Sequence, residues 1–579
     1  MILVHFIFLA LFLPLYASVE THIQSNVTTT ITTTTTPSAP TSAIPTPTSK
    51  NITHPTSTST HAPQPTPTIP TSYNGTVVNG TASNDVLFQL TCQVQDDAYC
   101  KKVYDNIRLA LLEFANVVSI QQAITIQINY YSFCQDTCAN ASLGWGTPSS
   151  EYILHQDGVD LNHAYPQALA KQLVVPTYNT EVWLDTDVNI ALNHDYYLST
   201  VDYDIAAVNG WNGTGVPPGG SYWYFNDSSY GNYTMNIESY QVDFRYLVLH
   251  QLIHGLGFLS SWAGYFSSQT SPFHELVAGM MPDDQLQWIT PGMHWKVPSD
   301  GGPIYITGFQ QTLLFDKFLL GVNQSSAAPT NMSEIGFSML NFCVNDNQEF
   351  ILYFLQSFNS SSQATVAHQL YNMLSNPGGL VFNLPNPTIN NSIYLTNSYL
   401  NASYKNMTLS TGLDLLNAPL EQFDDTSSRP TAAISHLDIA YNGTVDFLMV
   451  QQLVQGSSLE QLVQTYYQSL PVNITYNVTT GPNYATTTNY MSPIGPGILR
   501  MLDAMGYSTI LTPTKYVTNS NASTPRFRSN CGDSNANNNP SPKSPSLSPS
   551  SSAGTSLYHL LQSPLLTALF VCLGVTSLS

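Results

Sequence analysis

His250-Gln251-Leu252-Ile253-His254-Gly255-Leu256-Gly257-Phe258 is the stretch on which the fold turns. Residues four apart on a helix lie on one face, a turn apart, so the two imidazoles can close on a single metal ion. Gly257, three residues beyond the second histidine, lets the chain turn sharply where the helix ends. Gln251 follows the first histidine, where a metal-dependent hydrolase would carry a carboxylate base. The spacing therefore speaks for a metal, and the amide leaves the chemistry open.

Working outward, residues 242–257 predict a long helix around the histidine pair. Upstream, 96–115 reads as a helix, with Val103, Ile107, Leu111 and Phe114 at i, i+4, i+8 and i+11. Residues 123–131 alternate Ile124, Ile126, Ile128 and Tyr130 and predict a strand. Residues 205–208 predict a short buried strand. Further helices are expected near 309–320, 361–375, 459–470 and 496–505. Helices and strands of this kind give an α+β class over a folded region of 77–514, long enough for one large or two moderate cores.

The flanks differ in composition. Residues 1–18 combine an apolar run with small residues and predict a signal peptide. Residues 19–76 and 515–553 are Ser-, Thr-, Pro- and Asn-rich, predict disordered stalks and suit glycosylation. Residues 554–579 end in an apolar tail, which reads as a GPI-attachment signal that is removed, with Ser551, Ser552 and Gly554 as attachment candidates. About eighteen N-x-S/T sequons, Asn212 and Asn406 among them, fit the same route. The chain thus reads as a glycoprotein on the extracellular face of the plasma membrane or in the cell wall. The expected partners are a GPI lipid anchor and extracellular peptides, proteins or glycans. With 36 acidic against 15 basic residues, a nucleic-acid partner has no electrostatic support. Setting aside Cys572 in the tail, the cysteines read as disulfides in an oxidising compartment. Closeness in sequence suggests Cys92 with Cys100 and Cys134 with Cys138, although six cysteines allow fifteen connectivities.

The nine-residue stretch resembles the leishmanolysin-like branch of the metzincin (zincin) metallopeptidases, whose motif is H-E-x-x-H-x-x-G-F. In that family a third histidine stands far downstream. Ser435-His436-Leu437-Asp438 and Asp446-Phe447-Leu448-Met449 resemble the family's S-H-W-E and D-E-L-M stretches. The resemblance implies a zincin-like domain over 77–514, with a mixed sheet, an active-site helix at 242–257 and a C-terminal subdomain, that binds Zn2+ through His250, His254 and His436, with Met449 in a turn beneath the metal. His274 is a rival third ligand, and Met491 a rival for the methionine. The chain departs from the family at Gln251, the position of the general base.

An amide can hold a zinc-bound water but cannot take its proton. Three readings follow: a metal-binding protein with impaired catalysis, an active endopeptidase using Glu275 or Asp438 instead, and a non-enzymatic wall or adhesion glycoprotein with structural histidines.

Overall fold

The computed structural model describes residues 75–516 apart from short interior intervals, and the structural statements below concern those described residues. The expected stalks beyond them, the signal and GPI segments, Ser551, Ser552, Gly554, Cys134 and Cys138 lie outside the described residues.

A five-stranded mixed sheet carries the site. Its strands are β1 (Thr76–Ser83), β2 (Val86–Cys92), β3 (Ile124–Tyr131), β4 (Gly144–Pro148) and β5 (Val188–Asn193). They lie in the order β1-β2-β3-β5-β4. β2, β3 and β5 are parallel neighbours, while β1 and β4 close the two edges antiparallel. Alternation decides the inward face: Val86, Phe88 and Leu90 of β2, and Ile124, Ile126 and Ile128 of β3, are buried.

Helix α1 (Asp97–Val117) crosses from β2 to β3 and is capped by Asp96, whose carboxylate accepts the Tyr99 N–H. Its stripe of Val103, Ile107, Leu111 and Phe114 is fully buried. At about 1.5–3 kcal/mol for each such side chain, that stripe contributes far more than helix propensity does. Helix α2 (Phe244–Gly255) packs against both α1 and β4 and is buried on every side. A helix enclosed all round needs no amphipathic stripe, which is why Leu247, Leu249, Leu252 and Ile253 surround rather than face the histidines.

A second group of described elements lies downstream. A four-stranded antiparallel sheet has the order β7-β6-β8-β9, from β6 (Leu319–Gly321), β7 (Thr330–Asn331), β8 (Leu380–Asn383) and β9 (Asn406–Thr408). Helices α3 (Met332–Leu340), α4 (Ile351–Asn359), α5 (Ser362–Leu374), α6 (Leu459–Gln468) and α7 (Pro496–Met505) complete it. The class is mixed α+β.

Two expectations need correction. Residues 205–208 lie in the short helix Tyr203–Val208, where Ala206 is buried but Ile205 and Val208 are exposed. Four apolar residues are too few to distinguish strand from helix by period. The stretch 309–320 is strand, 3-10 turn and strand, because the Asp316 carboxylate captures the Leu313 N–H and halts any regular helix.

Candidate metal centre

Helix α2 starts on Asp243, whose carboxylate accepts the Arg245 N–H, and the Arg245 guanidinium bridges Asp243 to Glu460 of α6. That pairing fixes the helix start, and the sheet fixes its side. A Cβ on Gly146 of β4 would stand 1.9 Å from the Gln251 carbonyl oxygen, so the helix lies on this strand only because position 146 has no side chain. The helix ends with Gly257 at φ +99°, a left-handed conformation. The reversal brings the Phe258 carbonyl back onto the imidazole of His254.

His250 and His254 project from one side of α2 toward His436, which enters from the chain after a 3-10 turn at Ala433–Ser435. The three are buried. Their Nε2 atoms form a nearly equilateral triangle: 3.2 Å from His250 to His254, 3.2 Å from His250 to His436 and 3.3 Å from His254 to His436. Among the described residues, these three histidines form the one group of three or more potential metal-ligating side chains.

Hydrogen bonding at the far side of two of the rings decides what their Nε2 atoms are. His250 Nδ1 lies 2.7 Å from the Leu448 carbonyl, and His254 Nδ1 lies 2.8 Å from the Phe258 carbonyl. A carbonyl only accepts, so Nδ1 carries the proton in both rings and Nε2 presents a lone pair. Burial pushes the His250 imidazolium down to about 4 and His254 well below its ordinary value, the latter pressed further by His436 and His250. Two neutral nitrogens that both present lone pairs at 3.2 Å make no hydrogen bond and repel. A cation relieves that repulsion. Zinc–nitrogen bonds of about 2.0–2.1 Å at tetrahedral angles place ligand nitrogens about 3.3–3.4 Å apart, so the triangle fits such an ion with almost no movement.

Second contacts hold the ligands. Ser435 Oγ accepts the Ser260 N–H, and Ser260 Oγ donates 2.7 Å to Asp316. Asp316 also accepts from Ser261 N–H, Ser261 Oγ and Leu313 N–H, and its enclosure raises the carboxyl to about 6. Met449 is fully buried in the turn Phe447–Met449, and its carbonyl accepts the Leu437 N–H beside the third histidine. Met491 is half exposed.

No catalytic arrangement of a glutamate or glutamine accompanies the triad among the described residues. The Gln251 amide donates 3.1 Å to the Gly144 carbonyl of β4. Asp438 turns its carboxylate onto its own Ala440 N–H. The side chains of His274 and Glu275, in a short helix at His274–Val277, lie outside the described residues.

The family model described as SPBPB7E8-like matches residues 46–209 and 219–547. The chain belongs to the SPBPB7E8-like family. It is 22% identical over 428 residues to an uncharacterized protein of Schizosaccharomyces pombe, across 71% of this chain. The match spans 60% of the length of that relative. No solved structure matches.

Membership in the SPBPB7E8-like family replaces the resemblance to leishmanolysin-like metzincins. The motif lacks the defining glutamate, and the amide in its place is tied to a strand carbonyl. This chain does bring three histidines together, and a three-histidine cluster by itself does not define a peptidase. The metallopeptidase reading falls with it. So do the GPI anchor, with Ser551, Ser552 and Gly554 as its attachment candidates, and the secreted and membrane descriptions, which the family assignment does not support. No helix among the described residues is long and apolar enough to cross a membrane.

Cys92 and Cys100 form a disulfide, and Cys343 is disulfide-bonded as well. Sequence reasoning quoted Ser435 without its contact to Ser260, and missed Asp316, Gly146 and the carbonyls of Leu448 and Phe258. Backbone acceptors leave no trace in residue identity, but the two glycines of β4, Gly144 and Gly146, were a readable sign of close backbone approach.

Proposed function

We propose that this protein binds one zinc ion through His250, His254 and His436, in a site that holds the metal without an effective base for hydrolysis. The observation that carries the reading is the convergence of three buried Nε2 atoms at 3.2–3.3 Å from one another, two of them left with lone pairs by a carbonyl at Nδ1. Three imidazoles and no carboxylate favour a transition metal over magnesium or calcium, and near-tetrahedral spacing favours zinc. Bound zinc would supply Lewis acidity to a water or a ligand oxygen.

What the chain itself contributes is orientation and shelter. Leu448 and Phe258 carbonyls hold two rings in register, and burial keeps them neutral. Gln251 supplies an amide that donates hydrogen bonds and cannot accept a proton at neutral pH. A peptide, a protein or a glycan is the partner we assign to the protein.

Hydrolysis of an activated ester by the zinc-loaded protein tests the missing base. Wild type should turn over at the level of the His436→Ala variant, whereas Gln251→Glu should gain about 100-fold or more. Equal, metal-dependent turnover by wild type and Gln251→Glu would overturn the impaired reading.

A further inference from the structure

Asp446 lies ten residues after the third histidine and does not reach the triad. It is 2% exposed, and its carboxylate accepts from Tyr404 Oη at 2.7 Å, Gly497 N–H at 2.7 Å and Ile498 N–H at 3.2 Å. The last two are first-turn amides of α7, which begins Gly495-Pro496-Gly497. Gly495 has no side-chain oxygen to cap the helix, and Pro496 has no N–H to satisfy. The cap comes from Asp446, fifty residues upstream. Both glycines are required for it: a Cβ on Gly495 would meet Asp446 Oδ1 at 2.3 Å, and one on Gly497 would meet Asp446 Oδ2 at 2.8 Å.

The three residues that follow Asp446 send three consecutive carbonyls to the site. Phe447 accepts from Tyr246 Oη at 3.0 Å, Leu448 from His250 Nδ1 at 2.7 Å and Met449 from the Leu437 N–H at 2.8 Å. One turn thus grips helix α2, orients the first histidine, and holds the residue next to the third. Within the turn one bond, from the Val450 N–H to the Phe447 carbonyl, closes the backbone and leaves the Leu448 carbonyl outside that ring, while Asp446 anchors the start of the turn to α7.

We propose that Asp446 is the positioning residue of the metal centre: by clamping the 447–449 turn to the start of α7 and to Tyr404, it sets the direction of the Leu448 carbonyl and hence the ring and tautomer of His250. The inference rests on the zinc reading. Contacts behind a metal-bound histidine typically change affinity by about 10–100-fold when removed. A carboxylate serving only as a helix cap would lower stability and leave affinity and ligand field alone.

The test measures zinc affinity of the full chain by chelator competition, alongside the visible spectrum of the cobalt-loaded protein. Asp446→Asn keeps the volume but removes the charge and one acceptor. It should weaken zinc by about 10–100-fold and shift the cobalt bands. Tyr404→Phe removes one hydrogen bond and should act in the same direction, less strongly, with the fold intact; it decides the question if Asp446→Asn fails to fold. Folded variants with wild-type affinity and an unchanged cobalt spectrum would overturn the inference and leave the zinc reading standing. Wild type that takes up neither metal would overturn both.

Discussion

At the scale of single residues, the site is organised by atoms that carry no side-chain signature. His250 and His254 are ligand-like because two carbonyls occupy their Nδ1 positions, and Gln251 is set by the carbonyl of Gly144. The sequence made His250, His254 and His436 legible through spacing and local resemblance, and it marked Gln251 as the departure. It could not show that Asp446 serves a helix fifty residues on, since that contact exists only once the chain is folded. Titratable residues nearby give a separate check. Burial raises the Glu151 carboxyl to about 8, with Asp316 adding to the rise. A carboxyl raised in the folded state contributes stability that is fully present below its unfolded value of about 4.3 and lost as pH rises through about 8. Urea midpoints should therefore fall between pH 5 and pH 9, and Glu151→Gln should flatten that fall. An identical slope in wild type and variant would show that Glu151 ionises freely.

At the scale of elements, the decisive contact is α2 on β4. Gly146 permits the helix backbone to touch the strand, and this approach sets where His250 and His254 stand relative to the sheet. Gly146→Ala would place a methyl against the Gln251 carbonyl and should cost about 1–3 kcal/mol as overpacking does. Denaturant unfolding checks it, and a variant as stable as wild type would mean that the helix shifts freely on the sheet. Elements with strong period were legible for physical reasons. Val103 to Phe114 kept to one helical stripe, Ile124 to Tyr130 alternated, and the first turn of α7 began at a proline. Residues 205–208 and 309–320 were not, because the first segment is too short for a period and the second is broken by the hydrogen bonds of Asp316. Helix α2 itself was found through its histidines rather than its pattern, since a helix buried all round has no polar face to read.

At the scale of the whole molecule, the three histidines come from positions nearly two hundred residues apart, so metal binding and folding are linked. An ion bound only by the folded chain stabilises it by about 2.7 kcal/mol when present at a hundred times its dissociation constant. The family assignment governs how far the similarity of nine residues can be taken: it replaces a named peptidase class with the SPBPB7E8-like family and leaves the triad as the feature to explain. The central claim is that the triad holds zinc, and metal analysis of the purified full chain tests it most directly. Wild type dialysed against trace zinc should retain one ion per chain and lose it, with a lower melting temperature, after chelation; His436→Ala should retain none. Wild type without stoichiometric metal, or His436→Ala retaining as much as wild type, would contradict the account.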